Sequence, residues 1–434
     1  HDSWILNKQY SDYLYHPRDG QSAPNGTYPN ALIPQNAAIA NGVNTIAAGQ
    51  NGGVWVNLNV QDAAPGTYTG FATLTVNGED MQIPVSVRIY DVEVPDEVHS
   101  ILSTGIWWDQ LEAGEGYVTQ ELADSYYNYL ISKRISPWDR WNYWYTTDGL
   151  VTQVVSLASD PKVPAYLLYY KNDDREVNRD SVVATLTGVI NKNIELAQSG
   201  SNVDLFKKAY FYFACVDEPA GGSSAPTYAQ VQAAINVLDS VKSELATMLD
   251  AYPSLKQSFL GIKNIVTGPD PSNAKEDPFY IDGCPDYSDS SALTSTYDSV
   301  IYCPQYQNMQ TAEQRAKYAD DTEVWWYGCC HPVAPYPTFH YNNPLINSRA
   351  LGFMMYEYGI SGAVYSSVNY WGQYTDNGIS LYDYWNGYDN GTPGDQMLVY
   401  PGSDFGVEGP IGSMRIENIR ESSEDYEYLW LLEQ

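Results

Sequence analysis

From residue 99 to residue 434, short apolar runs alternate with segments of helical period, and few folds accommodate that alternation over so long a stretch. Eight runs read as strands: SILSTGIWW (100–108), RISPWDR (134–140), AYLLYY (165–170), AYFYFACV (209–216), SFLGI (258–262), VIYC (300–303), EVWWYGC (323–329) and GAVYSSV (362–368). Between them lie helical patterns such as TQELADSYYNYLISK, SVVATLTGVINKNIELAQSG and NSRALGFMMYEYG, and the chain ends on another, MRIENIRESSEDYEYLWLLEQ. Eight strands with interleaved helices predict a (β/α)8 TIM barrel with long loops. A doubly wound sheet would carry a glycine-rich phosphate fingerprint after its first strand, and none is present.

Residues 1–97 have a different grammar. GGVWVNLNV and GFATLTVNGEDMQIPVSVRIYDVEVP alternate apolar and polar positions, with APGTYTG and VNGED as turns. They predict a β-sandwich, complete or truncated at its N-terminus, joined through VPDEV (94–98) to a barrel domain spanning 98–434 with a C-terminal helix.

Charge narrows the partners. With 22 basic against 53 acidic residues the net charge is −31, which argues against nucleic acid and anionic membranes. No apolar run is long enough to span a bilayer, and no leader segment is visible. Five cysteines without a CxxC pair argue against a disulfide scaffold or zinc ribbon, with a single disulfide left open. The histidines form no HExxH cluster and no EF-hand spacing occurs, so no metal site and no cofactor is expected, although loop carboxylates could hold calcium. The 39 Tyr and 12 Trp are mostly packing residues, but an apolar face with a polar edge also suits carbohydrate.

The segment YFYFACVDEPAGG delivers Asp217 and Glu218 to the end of the fourth strand, where barrels place catalytic groups. The plain alternative is a solvated loop whose acids cap the next helix. Glycoside hydrolysis usually needs two carboxyl groups across the scissile bond. A second acid is expected at the end of strand seven, yet the only acid of EVWWYGCCHP is Glu323, at its start. Adjacent carboxylates permit another division of labour. Glu218 would protonate the glycosidic oxygen, and Asp217 would orient a 2-acetamido group whose oxygen attacks the anomeric carbon. A neighbouring negative charge also favours the protonated form of a general acid.

The Asp-Glu-Pro element, WWYGCCHPVAPYPTF (325–339), RALGFMMYEYGISGAVYSSVNYW (349–371) and YPGSDFGVEGPIGSMRIENIRESSEDYEYLWLLE (400–433) together resemble glycoside hydrolase family 123 and the broader uncharacterised domain family around it. The resemblance covers residues 99–433 and includes the sandwich in front. It implies an exo-acting, retaining β-N-acetylgalactosaminidase, with Asp217 stabilising the acetamido group and Glu218 as acid/base. It implies a secreted, cell-surface or periplasmic bacterial setting and a glycan or glycoconjugate substrate. A glycosidase or transglycosylase for sugars lacking an acetamido group, using Asp109, Asp376 or Asp383 as a distant acid, stays open. So does a non-catalytic carbohydrate-binding barrel.

Supporting residues follow from strand ends. Trp108, Trp138, Arg140, Tyr327, Asn369, Tyr370 and Trp371 are candidate substrate-binding groups. Barrel packing is the competing reading, and it is expected for Trp325 or Trp326 because neighbours on a strand face opposite ways. Arg349 and Arg415 are expected to be structural.

Overall fold

The structure is a computed structural model that describes residues 2–10, 26–60, 63–139, 147–170, 177–213, 228–267, 299–316, 323–329, 332, 336–341, 343–386 and 394–434. The first elements are β1 (Asp2–Tyr10), β2 (Gly26–Pro34), α1 (Gln35–Ala40), β3 (Val54–Val56), β4 (Gly66–Val76) and β5 (Glu79–Ile89). β1 pairs antiparallel with both β2 and β3, while β4 and β5 form a separate two-stranded hairpin. Asn77 and Gly78, both at positive φ (52° and 84°), close that hairpin. Asn-Gly is the pair that a two-residue turn matched to strand twist demands.

The expected β-sandwich is not what these elements build. In the β4–β5 ladder, Tyr68 lies opposite Val87, Ala72 opposite Ile83 and Leu74 opposite Met81, so one face is apolar, while Thr67, Thr73, Gln82 and Arg88 line the other. No second sheet covers that apolar face among the described residues, and Tyr68 and Ile83 are 47% and 45% exposed. The alternation in the sequence was real, but alternation fixes which face is apolar and not what lies on it. β2 turns the other way. Ala31 and Ile33 are fully buried in the main core, and Ala31 bridges to Ser413 near the chain's end.

The remainder alternates as expected: β6 (Ile101–Ile106), α2 (Trp108–Glu115), α3 (Gln120–Ser132), β7 (Ser136–Asp139), α4 (Thr147–Ser159), β8 (Tyr166–Tyr170), α5 (Arg179–Gln198), β9 (Ala209–Phe213), α6 (Tyr228–Leu245), α7 (Pro253–Leu260), β10 (Lys263–Thr267), β11 (Val300–Cys303), α8 (Ala312–Ala316), β12 (Trp325–Gly328), α9 (Ile346–Tyr358), β13 (Gly362–Tyr365), the hairpin β14 (Gly372–Thr375) and β15 (Gly378–Leu381), and α10 (Met414–Glu433). Local signals explain the helix starts. Thr119, Asn178 and Ser413 each accept a backbone N–H of the first turn of α3, α5 and α10.

One strand is displaced from expectation. SFLGI is the end of α7, which opens on Pro253 and buries Phe259, and the strand is the following KNIVT. A short apolar run does not distinguish strand from helix by itself.

The closed TIM barrel is also corrected. The strands form two four-stranded parallel sheets, ordered β11-β10-β9-β8 and β12-β13-β6-β7. Isolated parallel bridges, Tyr302 to Val324 and Gln305 to Tyr327, link β11 to β12. Among the described residues no ladder joins β7 to β8, so the hydrogen-bonded ring does not close. β7 has only four residues, one of them Pro137, which cannot donate to a neighbour and belongs on an edge.

α10 is fixed by its polar groups more than by an apolar stripe. Glu427 accepts from the His99 backbone and ring at 2.7 and 2.6 Å, Glu417 pairs with Lys133 at 2.5 Å, and Asp425 takes a two-pronged bond from Arg349. Arg415, 1% exposed, donates to Asn30 Oδ1 (3.0 Å), to the Phe339 and Gly394 carbonyls (2.6 Å each) and to the Met397 carbonyl. Arg415→Ala therefore leaves buried acceptors without donors. Urea unfolding should show a loss of about 3–5 kcal/mol, several times that of the exposed-pair variant Lys192→Ala.

Candidate active site

The C-terminal ends of the two sheets face each other through side chains. Trp138 of β7 meets Tyr212 of β9 edge-on, with ring centroids 5.8 Å apart, and the Tyr212 hydroxyl lies 3.4 Å from Thr267 Oγ1 of β10. Gly105 of β6 makes room for this. A Cβ there would sit 2.5 Å from the Ser366 carbonyl and 3.3 Å from the Trp138 ring. Tyr327, at the end of β12, is buried beside β11 and completes the floor.

Above the ends of β6 and β13 the chain is locked by hydrogen bonds. Asn369 accepts the Trp107 N–H (2.9 Å) and donates to the Trp107 carbonyl (3.0 Å), while the Trp107 indole N–H donates to the Ser366 carbonyl at 3.1 Å. Gln110 does the same one turn on, accepting the N–H groups of Trp371 and Gly372 and donating to the Gly372 carbonyl. These clamps leave four rings together. Trp107 stands edge-on to Tyr370 at 5.2 Å, and Tyr374 and Tyr382 follow at 6.3 and 6.1 Å from Tyr370.

The predicted site residues divide accordingly. Trp138 and Tyr327 sit at the strand ends, in the floor, and Tyr370 is half-buried in the ring cluster. Trp108 is 1% exposed and stacks on Tyr127 of α3, and Trp371 is fully buried with its indole N–H on the Val399 carbonyl. Both belong to the core. Asn369 is buried and spends its amide on Trp107. Asp217, Glu218 and Arg140 lie outside the described residues; β9 ends at Phe213, four residues before Asp217 in sequence. Tyr374 and Tyr382 were not predicted, and Trp107 shared the strand-one end with Trp108 without being told apart from it. For Trp107 the signal is that α2 begins at Trp108 with no intervening loop, which turns the second tryptophan of the pair into the core.

The buried carboxylates of the described residues are already engaged. Glu115 takes the Tyr126 hydroxyl and the N–H groups of Gly402 and Ser403, and Asp395 takes the Tyr365 hydroxyl at 2.8 Å. Burial first, and then the Asp395 charge, hold the Tyr365 phenol well above its ordinary range, so it stays a donor. Glu323 accepts from the Tyr210 hydroxyl (2.9 Å) and the Trp325 indole (3.1 Å), with Lys263 Nζ at 3.4 Å. All three partners lie at the N-terminal ends of their strands, opposite the ring cluster. Burial, followed by Glu323, keeps the Tyr210 phenol protonated. Beyond Glu323 the sequence has no acid until Glu357, which is exposed on α9. The β12 segment itself therefore supplies no carboxylate at its C-terminal end; the acid nearest to it among the described residues is Asp395, 3.9 Å from His340, whose ring lies 3.2 Å from the Cys329 carbonyl.

Residues 273–432 match the family model described as glycoside hydrolase 123, catalytic domain. Over those residues the chain is similar to the family 123 glycoside hydrolase catalytic domain. That makes it a glycosidase, although the matched stretch begins after Asp217 and Glu218. A family 123 glycoside hydrolase from Clostridium perfringens shares the fold, with a TM-score of 0.59 at 13% identity over 100% of this chain and 76% of that one. A chitinase catalytic domain from Pyrococcus furiosus aligns at 10% identity over 77% of this chain and 98% of that one, with a TM-score of 0.25 that carries no weight. No curated protein matches the chain. No helix among the described residues is long and apolar enough to cross a membrane.

If Glu323 is a structural acid, Glu323→Gln keeps the glycosidase's kcat within about 3-fold of wild type and costs about 1–3 kcal/mol in urea unfolding, because the charge facing Lys263 is removed and the bonds from Tyr210 and Trp325 weaken. A kcat loss of 100-fold or more would make Glu323 catalytic instead.

Proposed function

We propose that this glycosidase is an exo-acting, retaining β-N-acetylgalactosaminidase that uses the substrate's 2-acetamido oxygen as its nucleophile. The observation that supports this most is that the β12 segment carries no acid between Glu323 and Glu357, while Asp395 beside it is bonded to the Tyr365 hydroxyl. A retaining enzyme without a carboxylate nucleophile opposite its acid needs a nucleophile from elsewhere, and a 2-acetamido group supplies one. Glu218, just past β9 in sequence, donates its proton to the glycosidic oxygen as the bond from C1 to that oxygen breaks. The acetamido oxygen closes on C1, and Asp217 holds the amide N–H and balances the positive charge of the cyclic intermediate. Water then attacks C1 from the face the leaving group vacated and gives its proton to Glu218, which restores the acid and leaves the β-anomer.

The Clostridium perfringens relative is described through glycolipid glycan hydrolysis, which supports a glycoconjugate as the substrate class. The acidic surface of the chain, −31 overall, suits a neutral glycan better than a sulfated or phosphorylated one. A secreted, surface or periplasmic site of action accords with such a substrate. Of the distant acids weighed as alternatives, Asp109 lies in the first turn of α2, and Asp376 and Asp383 are exposed on and beside the β14–β15 hairpin.

The test compares aryl β-glycosides of N-acetylgalactosamine, N-acetylglucosamine and galactose. Hydrolysis of the first, with plain galactoside slower by at least 1,000-fold, is the expected result; equal rates on the two would remove the assisted mechanism. Glu218→Gln should lower kcat by about 100- to 10,000-fold, and Asp217→Asn by about 100-fold or more. Unchanged turnover in Asp217→Asn would remove Asp217 from the mechanism.

A further inference from the structure

The four-ring cluster is larger than a terminal sugar needs, and it is shaped differently. A pocket for the sugar being released closes around it and clamps its hydroxyls. Trp107, Tyr370, Tyr374 and Tyr382 instead form a shelf, buried at Trp107 and open at Tyr374, which is 43% exposed on the β14–β15 hairpin. The shelf is stiff. Asn369 and Gln110 pin the backbone beneath it, and the Tyr382 N–H donates to the Trp371 carbonyl at 2.9 Å. Rings held this way lose little freedom when a ligand lands on them.

The chemistry around the shelf selects the ligand. Aromatic faces stack on nucleobases as well as on sugars, but a nucleotide brings phosphates. No Lys or Arg occurs between Arg349 and Arg415, while Asp376 and Asp383 flank Tyr374 and Tyr382. That setting repels an anion and accepts hydroxyl hydrogens. Beneath the shelf, just past β13, Ser366 Oγ is buried and makes no hydrogen bond among the described residues. Its own carbonyl receives the Trp107 indole.

The geometry points to a second sugar subsite on the Trp107–Tyr370–Tyr374–Tyr382 shelf, which stacks the C–H face of the neutral pyranose on the leaving-group side of the scissile bond. It rests on the exo-glycosidase reading above. An exo-enzyme holds the departing terminal sugar deepest, so a one-sided, outward shelf fits the next residue of the glycan. Tyr374 is a positioning residue for that sugar and takes no part in bond breaking.

The test pairs two substrates and one ligand. N-acetylgalactosaminyl fluoride has no second sugar; N-acetylgalactosamine β-linked to lactose has two. Tyr374→Ala should lower kcat/KM on the trisaccharide by about 5- to 10-fold, mainly through KM, with the fluoride changed by less than about 2-fold and Tyr374→Phe near wild type on both. Equal losses on the two substrates, or no loss on the trisaccharide, would overturn the subsite. Lactose alone gives a readout that needs no turnover. Wild type should bind it with a change in tryptophan fluorescence from Trp107, and Tyr374→Ala should lose that change. If wild type splits neither N-acetylgalactosamine substrate, the activity reading fails while the lactose titration still decides the subsite. Absent lactose binding in wild type, or unchanged binding in Tyr374→Ala, would refute it. Matching thermal melts of Tyr374→Ala and wild type identify any loss as local.

Discussion

The buried guanidinium of Arg415 is the contact on which the site end of the molecule depends. It joins Asn30 of β2, the Phe339 carbonyl before α9, and the Gly394 and Met397 carbonyls to the first turn of α10. Taking a guanidinium out of water is expensive and is tolerable only when its donors are met. Gly394 shows how tight the arrangement is. Its φ is +71°, and a Cβ would lie 2.4 Å from Tyr341 and 2.9 Å from Arg415 Nη1. Met397, held by Arg415, bridges to Asn369, Leu398 and Val399 donate to the Val368 carbonyl, and Asn369 clamps Trp107. A charge buried under α10 therefore fixes rings at the ends of β6 and β13.

Much of this was readable in the chain, and the failures have physical causes. VIYC, GAVY and AYFYF became strands because short β-branched and aromatic runs flanked by helical periods leave little else to form. SFLGI failed because Pro253 starts a helix that absorbs it. Barrel closure could not be read at all, since period and length say nothing about which strand edges pair laterally. Pro137 was the available sign that β7 would be an edge. The sandwich failed in the same way: the β4–β5 hairpin has the apolar face expected of it, but a covering layer is a property of the rest of the chain.

The site was legible by position and not by side chain. Strand ends put Trp138, Tyr327 and Tyr370 at or just past the C-terminal ends of the sheets. Trp108 and Trp371 were credited with roles that their burial gives to packing, because WW and YW pairs do not say which ring faces out. That choice is made by the backbone, through α2 starting at Trp108 and Gln110 holding residues 371 and 372. Asn369 looks like a sugar-binding amide in sequence, and Gln110 is a second buried amide beside it. Each is consumed by main-chain groups that would otherwise be buried without partners.

The same accounting bears on the acids. With 53 Asp and Glu in the chain, carboxylates are plentiful, so their placement is informative where their number is not. Glu115, Asp395, Glu417 and Glu427 are buried and matched to hydroxyl, backbone or cationic donors that hold the fold. Glu323 looks catalytic by strand number, yet it is tied to Tyr210, Trp325 and Lys263 at the opposite end of the sheets. An acid held by three donors is poorly suited to act as a nucleophile, because each donor stabilises the charge that attack would spread. Among the described residues, the acid beside the end of β12 is Asp395, and it is already bonded to the Tyr365 hydroxyl. The proposed mechanism asks least of such a scaffold, because a nucleophile that comes with the substrate needs no carboxylate from the β12 segment.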